Sequence, residues 1–218
     1  MSTLLITTGA TVTFKLLLDY VVTESFISKL LAINVNKLIV QYGNEIKLSK
    51  KHGSTHVSDL YFEELLQKSR IVNHLKLKAN SKAVPKSEEP VKIYTSSESD
   101  FQLIAFPFSN KIDNYIAQSD VVISHAGTGS IVDTLRLQKK LIVIVNDTLM
   151  DNHQAEIAHE FTKLNYCLSY NVRELAKKDE LVNSLRDLLK GDISLTQFPV
   201  NKKKFVESVI AEELVHTI

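Results

Sequence analysis

The sequence has few of the features that secreted and membrane proteins need. It contains one cysteine among 218 residues, so no intramolecular disulfide can form, which fits a reducing cytosol. This residue, Cys167, follows the apolar run of a predicted strand, and we interpret it as a small buried hydrophobic residue. No apolar run reaches about 18 residues, so any membrane association would depend on a partner or a surface helix. The run from Leu4 to Ile6 is too short for a signal peptide and has no basic region before it.

The chain also lacks a large net charge. Its 26 lysines and arginines balance 25 aspartates and glutamates, which leaves a formal net charge of +1 with the histidines neutral. Because no strong field attracts a polyanion, we exclude nucleic acid as the main partner.

The length and composition are those of one domain. With 218 residues, 44% of them apolar, the chain can bury one full core, whereas two complete domains would be a tight fit. We predict a main domain over residues 1–200 with an exposed polar insertion near residues 78–100. Residues 201–218 form a separate segment in this prediction. The stretch from Lys202 to Thr217 has the pattern of an amphipathic helix, which either packs on its own domain or contacts a partner.

Short apolar runs alternate with stretches of helical periodicity. Strands are predicted at 3–7, 37–42, 101–106, 121–123, 141–145 and 166–168, and helices at 13–31, 130–138, 151–164 and 172–190. This alternation predicts an α/β fold with a mostly parallel sheet and flanking helices. In such sheets ligands bind at the carboxyl ends of the strands, where turns into helices expose backbone N–H groups.

The first of these turns runs from Thr7 to Thr11 and consists of small residues that let the backbone approach a phosphate. A tight strand-to-helix turn without a ligand would have the same sequence. Both interpretations of this turn therefore stay open.

The second turn runs from Ser124 to Ser130 and contains two of the chain's six glycines. The glycines are Gly127 and Gly129, and the polar residues around them are His125, Thr128 and Ser130. This composition is typical of a nest of N–H and O–H donors for a diphosphate. Two alternatives remain, namely that Ser130 and Asp133 form a capping box and that His125 is a structural histidine.

The third turn ends in four consecutive polar residues, which are Asp151, Asn152, His153 and Gln154. They exceed what helix capping needs, and carboxylates and amides suit the hydroxyls of a sugar. A solvated helix N-terminus is the alternative.

The segment SHAGTGSIVDTLRLQKKLIVIVNDTLMDNHQAEIA resembles the catalytic subunit of the two-component UDP-N-acetylglucosamine transferase of dolichol-linked oligosaccharide assembly, a glycosyltransferase family 28-like protein. The opening LLITTGATVTF, the QYG after the second strand and the later FPFS share this resemblance, which is dense from Ser119 to Ala158. It implies a Rossmann-like domain equivalent to the C-terminal donor-binding domain of a GT-B glycosyltransferase.

The resemblance also implies roles for individual residues. Those expected at the donor diphosphate are Gly9, Ala10, Thr11, His125, Gly127, Thr128, Gly129 and Ser130, with His125 stabilising the leaving group. Asp133 matches a glutamate that holds the ribose hydroxyls in related enzymes and is one methylene shorter. The residues matched to the transferred sugar are Asp151, His153 and Gln154, and those matched to the uracil pocket are Phe108 and Ser109.

The implied reaction transfers N-acetylglucosamine from UDP-N-acetylglucosamine to dolichyl-diphospho-N-acetylglucosamine, with inversion to a β1,4 link. The resemblance implies that a membrane-anchored partner subunit supplies the acceptor site and the catalytic base on the cytosolic face of the endoplasmic reticulum. No cofactor and no metal is expected, because loop N–H groups, His125 and helix dipoles would stabilise the departing UDP. A non-catalytic UDP-sugar sensor would carry the same binding residues and is the alternative function.

Overall fold

The computed structural model describes residues 1–49, 53–80, 90–147, 153–175 and 179–199. The predicted helix from Lys202 to Thr217 and the predicted site residue Asp151 lie outside these ranges. Within the described ranges, no helix has the length and apolar character needed to cross a membrane.

Strands and helices alternate along most of the chain. The strands are β1 (Ser2–Thr7), β2 (Val35–Gln41), β3 (Ile46–Ser49), β4 (Gly53–His56), β5 (Leu77–Ala79), β6 (Lys92–Ser96), β7 (Gln102–Phe106), β8 (Val121–His125), β9 (Lys140–Val145) and β10 (Leu168–Asn171). The helices are α1 (Lys15–Val21), α2 (Glu24–Ala32), α3 (Val57–Lys68), α4 (Ile71–His74), α5 (Ile112–Gln118), α6 (Thr128–Arg136), α7 (His153–Lys163) and α8 (Glu180–Lys190), with a 3-10 turn at Val172–Glu174.

Eight of the strands form one sheet in the order β10, β9, β8, β1, β2, β7, β6, β5. All pairs from β10 to β7 are parallel, whereas β6 and β5 are antiparallel additions at one edge. The strands β3 and β4 form a separate antiparallel hairpin. The predicted α/β fold with a mostly parallel sheet is confirmed.

The order of the strands creates a switch point beside β1. The chain places β2 and later β7 on one side of β1, and then returns through α5 to place β8 on the other side. A crevice forms at such a point because the loops after the two central strands leave in opposite directions. The first two predicted ligand-binding turns follow β1 and β8, so both lie at this crevice.

The central strands are apolar along their length because helices cover both faces of the sheet. In β1, Leu4 and Ile6 pack into one hydrophobic cluster and Leu5 into the other, as the alternation of side chains along a strand requires. The first cluster includes residues of α1, α2 and α8, and the second includes residues of α5, α6 and α7. Cys167 is buried in the second cluster, as predicted.

The helix predicted over residues 13–31 is divided into α1 and α2. Thr23 separates them, and its hydroxyl accepts a hydrogen bond of 3.2 Å from the N–H of Phe26. A threonine at an N-cap starts a new helix because it satisfies a free backbone donor, and the hydrophobic periodicity continues across the break.

Two predictions near the C-terminus are wrong in their boundaries. The strand expected at 166–168 is β10, which begins at Leu168. Tyr166 and Cys167 precede it and pack into the second hydrophobic cluster. The helix expected at 172–190 begins as a 3-10 turn, and α8 starts only at Glu180.

The structure also corrects the interpretation of the polar insertion. Residues 92–96 form β6, which pairs with β7, and residues 77–79 form β5. Lys92 of β6 forms ion pairs of 2.7 Å with Asp59 and 2.6 Å with Glu63 of α3. The polar surroundings hid this strand, because its one charged residue, Lys92, pairs with carboxylates of a helix that lies far away in the sequence.

Candidate functional site

A pocket of about 300 Å³ lies at the carboxyl edge of the sheet, at the crevice beside β1. Its volume is at the lower end of the range for small-molecule sites. The lining residues are Thr8, Gly9, Ala10, Thr11, Val12, Thr13, Phe14, His125, Asn146 and Gln154. They come from the loop after β1, the end of β8, the end of β9 and the start of α7, so three predicted turns converge on one pocket.

The loop after β1 is fixed at its first residues. Thr8 donates its backbone N–H and its hydroxyl to the carbonyl oxygen of Gln41, at 3.2 and 3.0 Å. Gly9 follows with a φ of +94°, a conformation that residues with a side chain rarely adopt. Ala10 and Thr11 are exposed beyond this turn, so their backbone is open to a ligand.

A second set of contacts holds the same loop from behind. The hydroxyl of Thr13 donates to Ser58 Oγ at 2.6 Å, and the N–H of Glu45 donates to the same oxygen at 2.7 Å. Ser58 is buried at the start of α3. The loop is thus anchored to a helix that follows it by more than forty residues, a contact that no local sequence pattern indicates.

His125 is the last residue of β8, and its imidazole lies between two glycines. A Cβ atom added to Gly9 would lie 3.0 Å from His125 Nε2, and one added to Gly127 would lie 2.2 Å from it. Neither distance leaves room for a methyl group without a shift. These two glycines therefore provide the space that the ring occupies.

Burial lowers the pKa of the His125 imidazole from the ordinary value of about 6.5, which favours the neutral form of the ring. The backbone carbonyl of Thr7 acts as a hydrogen-bond acceptor beside the ring and opposes this shift in pKa. The Nδ1 atom is buried and has no hydrogen-bond partner within the described ranges. A buried polar atom without a partner needs an explanation, and a ligand in the adjoining pocket supplies one.

The helix after His125 begins at Thr128, with Gly127 at the N-cap. No capping side chain of the described residues meets the N–H groups of its first turn, at Thr128, Gly129 and Ser130. The Gly127 N–H is already bonded to the carbonyl oxygen of His125 at 2.8 Å, so it does not join the predicted nest. The first turn of α6 thus offers three N–H groups and the positive end of the helix dipole to an anion.

The alternative interpretation of this turn as a capping box is wrong. It required Ser130 at the N-cap and Asp133 three residues later. In the structure Ser130 lies inside the first helical turn. Asp133 is half-buried, and burial together with the nearby carboxylate of Asp113 raises its pKa.

The structure brings some of the predicted residues to the pocket and not others. Gln154 lines it, whereas Phe108 and Ser109 lie outside its lining, in the loop after β7. Ser109 Oγ is buried and accepts a hydrogen bond of 3.0 Å from the N–H of Lys111. His153 is the first residue of α7, and its side chain is outside the described part.

Several lining residues were not predicted. Val12 and Phe14 carry no chemistry that a sequence pattern would single out, and Asn146 is a polar residue directly after a strand, as is common. Only their position in the chain could have indicated them, since all follow a parallel strand at its carboxyl end.

No group of three metal-binding side chains occurs among the described residues, and the expectation that no metal is needed stays a prediction.

Comparison with known proteins identifies the family. Residues 63–214 match the glycosyltransferase family 28 C-terminal domain. The chain belongs to this glycosyltransferase family. The match covers the second and third turns of the pocket, and the predicted resemblance is confirmed.

Family 28 relatives match the chain over nearly its whole length. A protein of Candida albicans called UDP-N-acetylglucosamine transferase subunit ALG13 is 41% identical over 98% of this chain and 74% of its own length. An NMR structure of ALG13 has a TM-score of 0.65 at 33% identity, covering 98% of this chain and 97% of that one.

A more distant structure supports the same fold. Acinetobacter baumannii MurG has a TM-score of 0.52 at 14% identity, and the match covers 99% of this chain but 50% of MurG. The chain described here thus corresponds in fold to about half of MurG.

Proposed function

We propose that this chain is the donor-binding, catalytic subunit of a transferase that uses UDP-N-acetylglucosamine. The observation that carries the proposal is the convergence of the loop after β1, His125 and Gln154 on one pocket at the switch point of the sheet. The 41% identical relative is called a subunit of a UDP-N-acetylglucosamine transferase, which supports the same activity here.

The donor diphosphate is proposed to bind between the loop after β1 and the start of α6. The backbone of Gly9, Ala10 and Thr11 faces it from one side. The N–H groups of Thr128, Gly129 and Ser130 face it from the other, where the helix dipole favours negative charge. His125 lies between them with an imidazole N–H available to the leaving group, since a neutral ring carries one N–H.

The remaining donor groups are assigned by the family resemblance. Asp133 holds the ribose hydroxyls in this proposal. Its pKa is raised because it is half-buried and the nearby Arg136 does not offset the effect of burial. Phe108 and Ser109 line the uracil pocket in this proposal. The transferred sugar contacts Asp151, His153 and Gln154.

The acceptor in this proposal is dolichyl-diphospho-N-acetylglucosamine, and the product has an inverted β1,4 link. A membrane-anchored partner subunit supplies the acceptor site and the general base. The chain then works on the cytosolic face of the endoplasmic reticulum, bound to the membrane through that partner. The word "subunit" in the relatives' names supports this arrangement.

Calorimetric titration of the chain with UDP, UDP-N-acetylglucosamine and GDP tests the proposal. We expect the two uridine ligands to bind and GDP to bind far more weakly. If neither uridine ligand binds, the proposed donor site is wrong. The alternative function, a UDP-sugar sensor, predicts the same binding. An assay for the disaccharide-lipid with the partner and the lipid acceptor added separates the two functions, because only a transferase forms this product.

The Gln154→Ala substitution is expected to separate the sugar from the nucleotide. Gln154 lines the pocket from α7, so its loss should weaken UDP-N-acetylglucosamine binding about tenfold by removing hydrogen bonds to the sugar. The affinity for UDP alone should stay within a factor of about two. Parallel titrations with both ligands measure this difference, and an equal loss for both would assign Gln154 to the nucleotide.

The affinity for UDP is expected to increase as the pH falls from 7.5 to about 6. Burial lowers the pKa of His125 in the free protein, and a neighbouring diphosphate would raise it, so binding takes up a proton between the two pKa values. Titration over this pH range, compared between the wild type and His125→Gln, isolates this contribution because the titration of UDP itself is common to both. An identical pH dependence in the two proteins would show that His125 does not contact the diphosphate.

A further inference from the structure

Two hydroxyl groups are buried side by side at the switch point, where the surrounding strand residues are apolar. Thr7 ends β1, and Ser124 is its aligned partner near the end of β8. They are 1% and 0% exposed. Burying a hydroxyl is costly unless it is hydrogen-bonded, so a specific set of bonds must compensate for this pair.

The bonds run in one direction toward His125. Thr7 Oγ1 donates to Ser124 Oγ at 3.1 Å, and Ser124 Oγ donates to the carbonyl oxygen of His125 at 2.8 Å. The same oxygen accepts the N–H of Gly127 at 2.8 Å. The His125 carbonyl is therefore held from two sides.

This arrangement fixes the turn that follows β8. Because the carbonyl of His125 is turned back toward Ser124, the chain bends sharply and brings Gly127 against the imidazole ring. The ring's own Nδ1 atom has no hydrogen-bond partner among the described residues. The orientation of the ring thus depends on this turn, on the two glycines and on the backbone carbonyl of Thr7 beside it.

We propose that Ser124, itself oriented by Thr7, is a positioning residue that holds the His125 imidazole toward the donor pocket. The inference rests on the proposed function for the role of His125 at the diphosphate. Neither hydroxyl contacts the pocket, so both act through the backbone of His125. The contact joins residues 117 positions apart, so it exists only where β1 and β8 pair.

The test compares Ser124→Ala with Ser169→Ala. Ser169 is a matched control because its hydroxyl also accepts from a threonine, Thr162 Oγ1, at 3.0 Å, in a strand at the far edge of the sheet. The first readout is an NMR titration of the His125 ring protons without ligand. We expect Ser124→Ala to move the His125 pKa toward its ordinary value of about 6.5 as the ring gains solvent, and Ser169→Ala to leave it unchanged.

The second readout is the affinity for UDP, which should fall about tenfold in Ser124→Ala and stay unchanged in Ser169→Ala. Thr7→Val removes the first hydroxyl without changing the shape of the side chain. It should change the His125 pKa and the UDP affinity in the same directions as Ser124→Ala does, but by less. Thr7→Ser keeps the hydroxyl and should return both quantities to their wild-type values.

Thr7→Val also serves if Ser124→Ala does not fold. If both variants leave the His125 signals as they are in Ser169→Ala, the positioning role is wrong. If the wild type does not bind UDP, the proposed function fails, and the NMR comparison still decides whether Ser124 positions the ring.

Discussion

Replacing Gly127 by alanine is expected to lower the transfer rate of the assembled enzyme by about 10²–10³-fold, the usual cost of losing one donor at a developing negative charge. The added methyl carbon would lie 2.2 Å from His125 Nε2 and 2.8 Å from Cε1, so the ring must leave its place. The backbone of Gly127, with φ −85° and ψ 125°, suits alanine. The effect therefore comes from lost space and not from backbone strain. Steady-state assays with the partner present measure it.

A double substitution shows whether this loss passes through the ring. In a His125→Ala background the methyl group of Gly127→Ala has no imidazole to displace, so the second change should cost little. A loss as large as in the wild-type background would mean that Gly127 acts by another route. Gly129→Ala controls for folding, since its added Cβ has no neighbour within 4 Å and alanine is favoured over glycine in a helix.

The purified chain is expected to bind donor and yet transfer sugar at a rate lower by a factor on the order of 10⁵ or more than the chain with its partner. The loop residues Ala10, Thr11 and Val12 are exposed at the mouth of the pocket. Until the acceptor hydroxyl is held beside the anomeric carbon, the reaction lacks the contribution of proximity, worth about 7–11 kcal/mol in well-oriented systems. Assays with lipid acceptor, with and without the co-expressed partner, measure the ratio. A normal rate from the chain alone would refute the two-subunit mechanism.

Truncation after Pro199 extends this test to the partner contact. The amphipathic pattern from Lys202 to Thr217 predicts a helix that either packs on its own domain or contacts the partner, and the truncation tests the second possibility. Phe198 is buried against Phe161 and Tyr166, so a chain ending at Pro199 keeps this part of the core. We expect the truncated chain to bind UDP normally and to lose co-purification with the partner. Normal co-purification would locate the interface on the domain itself.

The fold was largely predictable because its signals are local. Short apolar runs gave the central parallel strands, and their turns gave most of the pocket, since the carboxyl ends of parallel strands share one edge. The strand β6 was missed because it lies in a polar, charged stretch that looks like a loop, and its ion pairs from Lys92 to Asp59 and Glu63 form only in the folded chain. The break between α1 and α2 was missed because hydrophobic periodicity continues through Thr23.

The roles of the glycines were predictable in part. Gly9 and Gly127 were expected to let the backbone approach a phosphate, which stays a prediction. The structure shows that both make room for the ring of His125. The N–H of Gly127 donates to the His125 carbonyl within the turn, so the proposed diphosphate donors are the N–H groups in the first turn of α6.

The sequence by itself determined the class of fold, the family and the segments that carry the site, because periodicity and spaced motifs are properties of neighbouring residues. Only the tertiary structure decided how the imidazole of His125 is held, because Thr7 and Ser124 meet across 117 residues of chain. The same holds for Ser58 behind the first loop. Hydrogen bonds between buried hydroxyls depend on which strands and helices become neighbours, and no local pattern of residues records that choice.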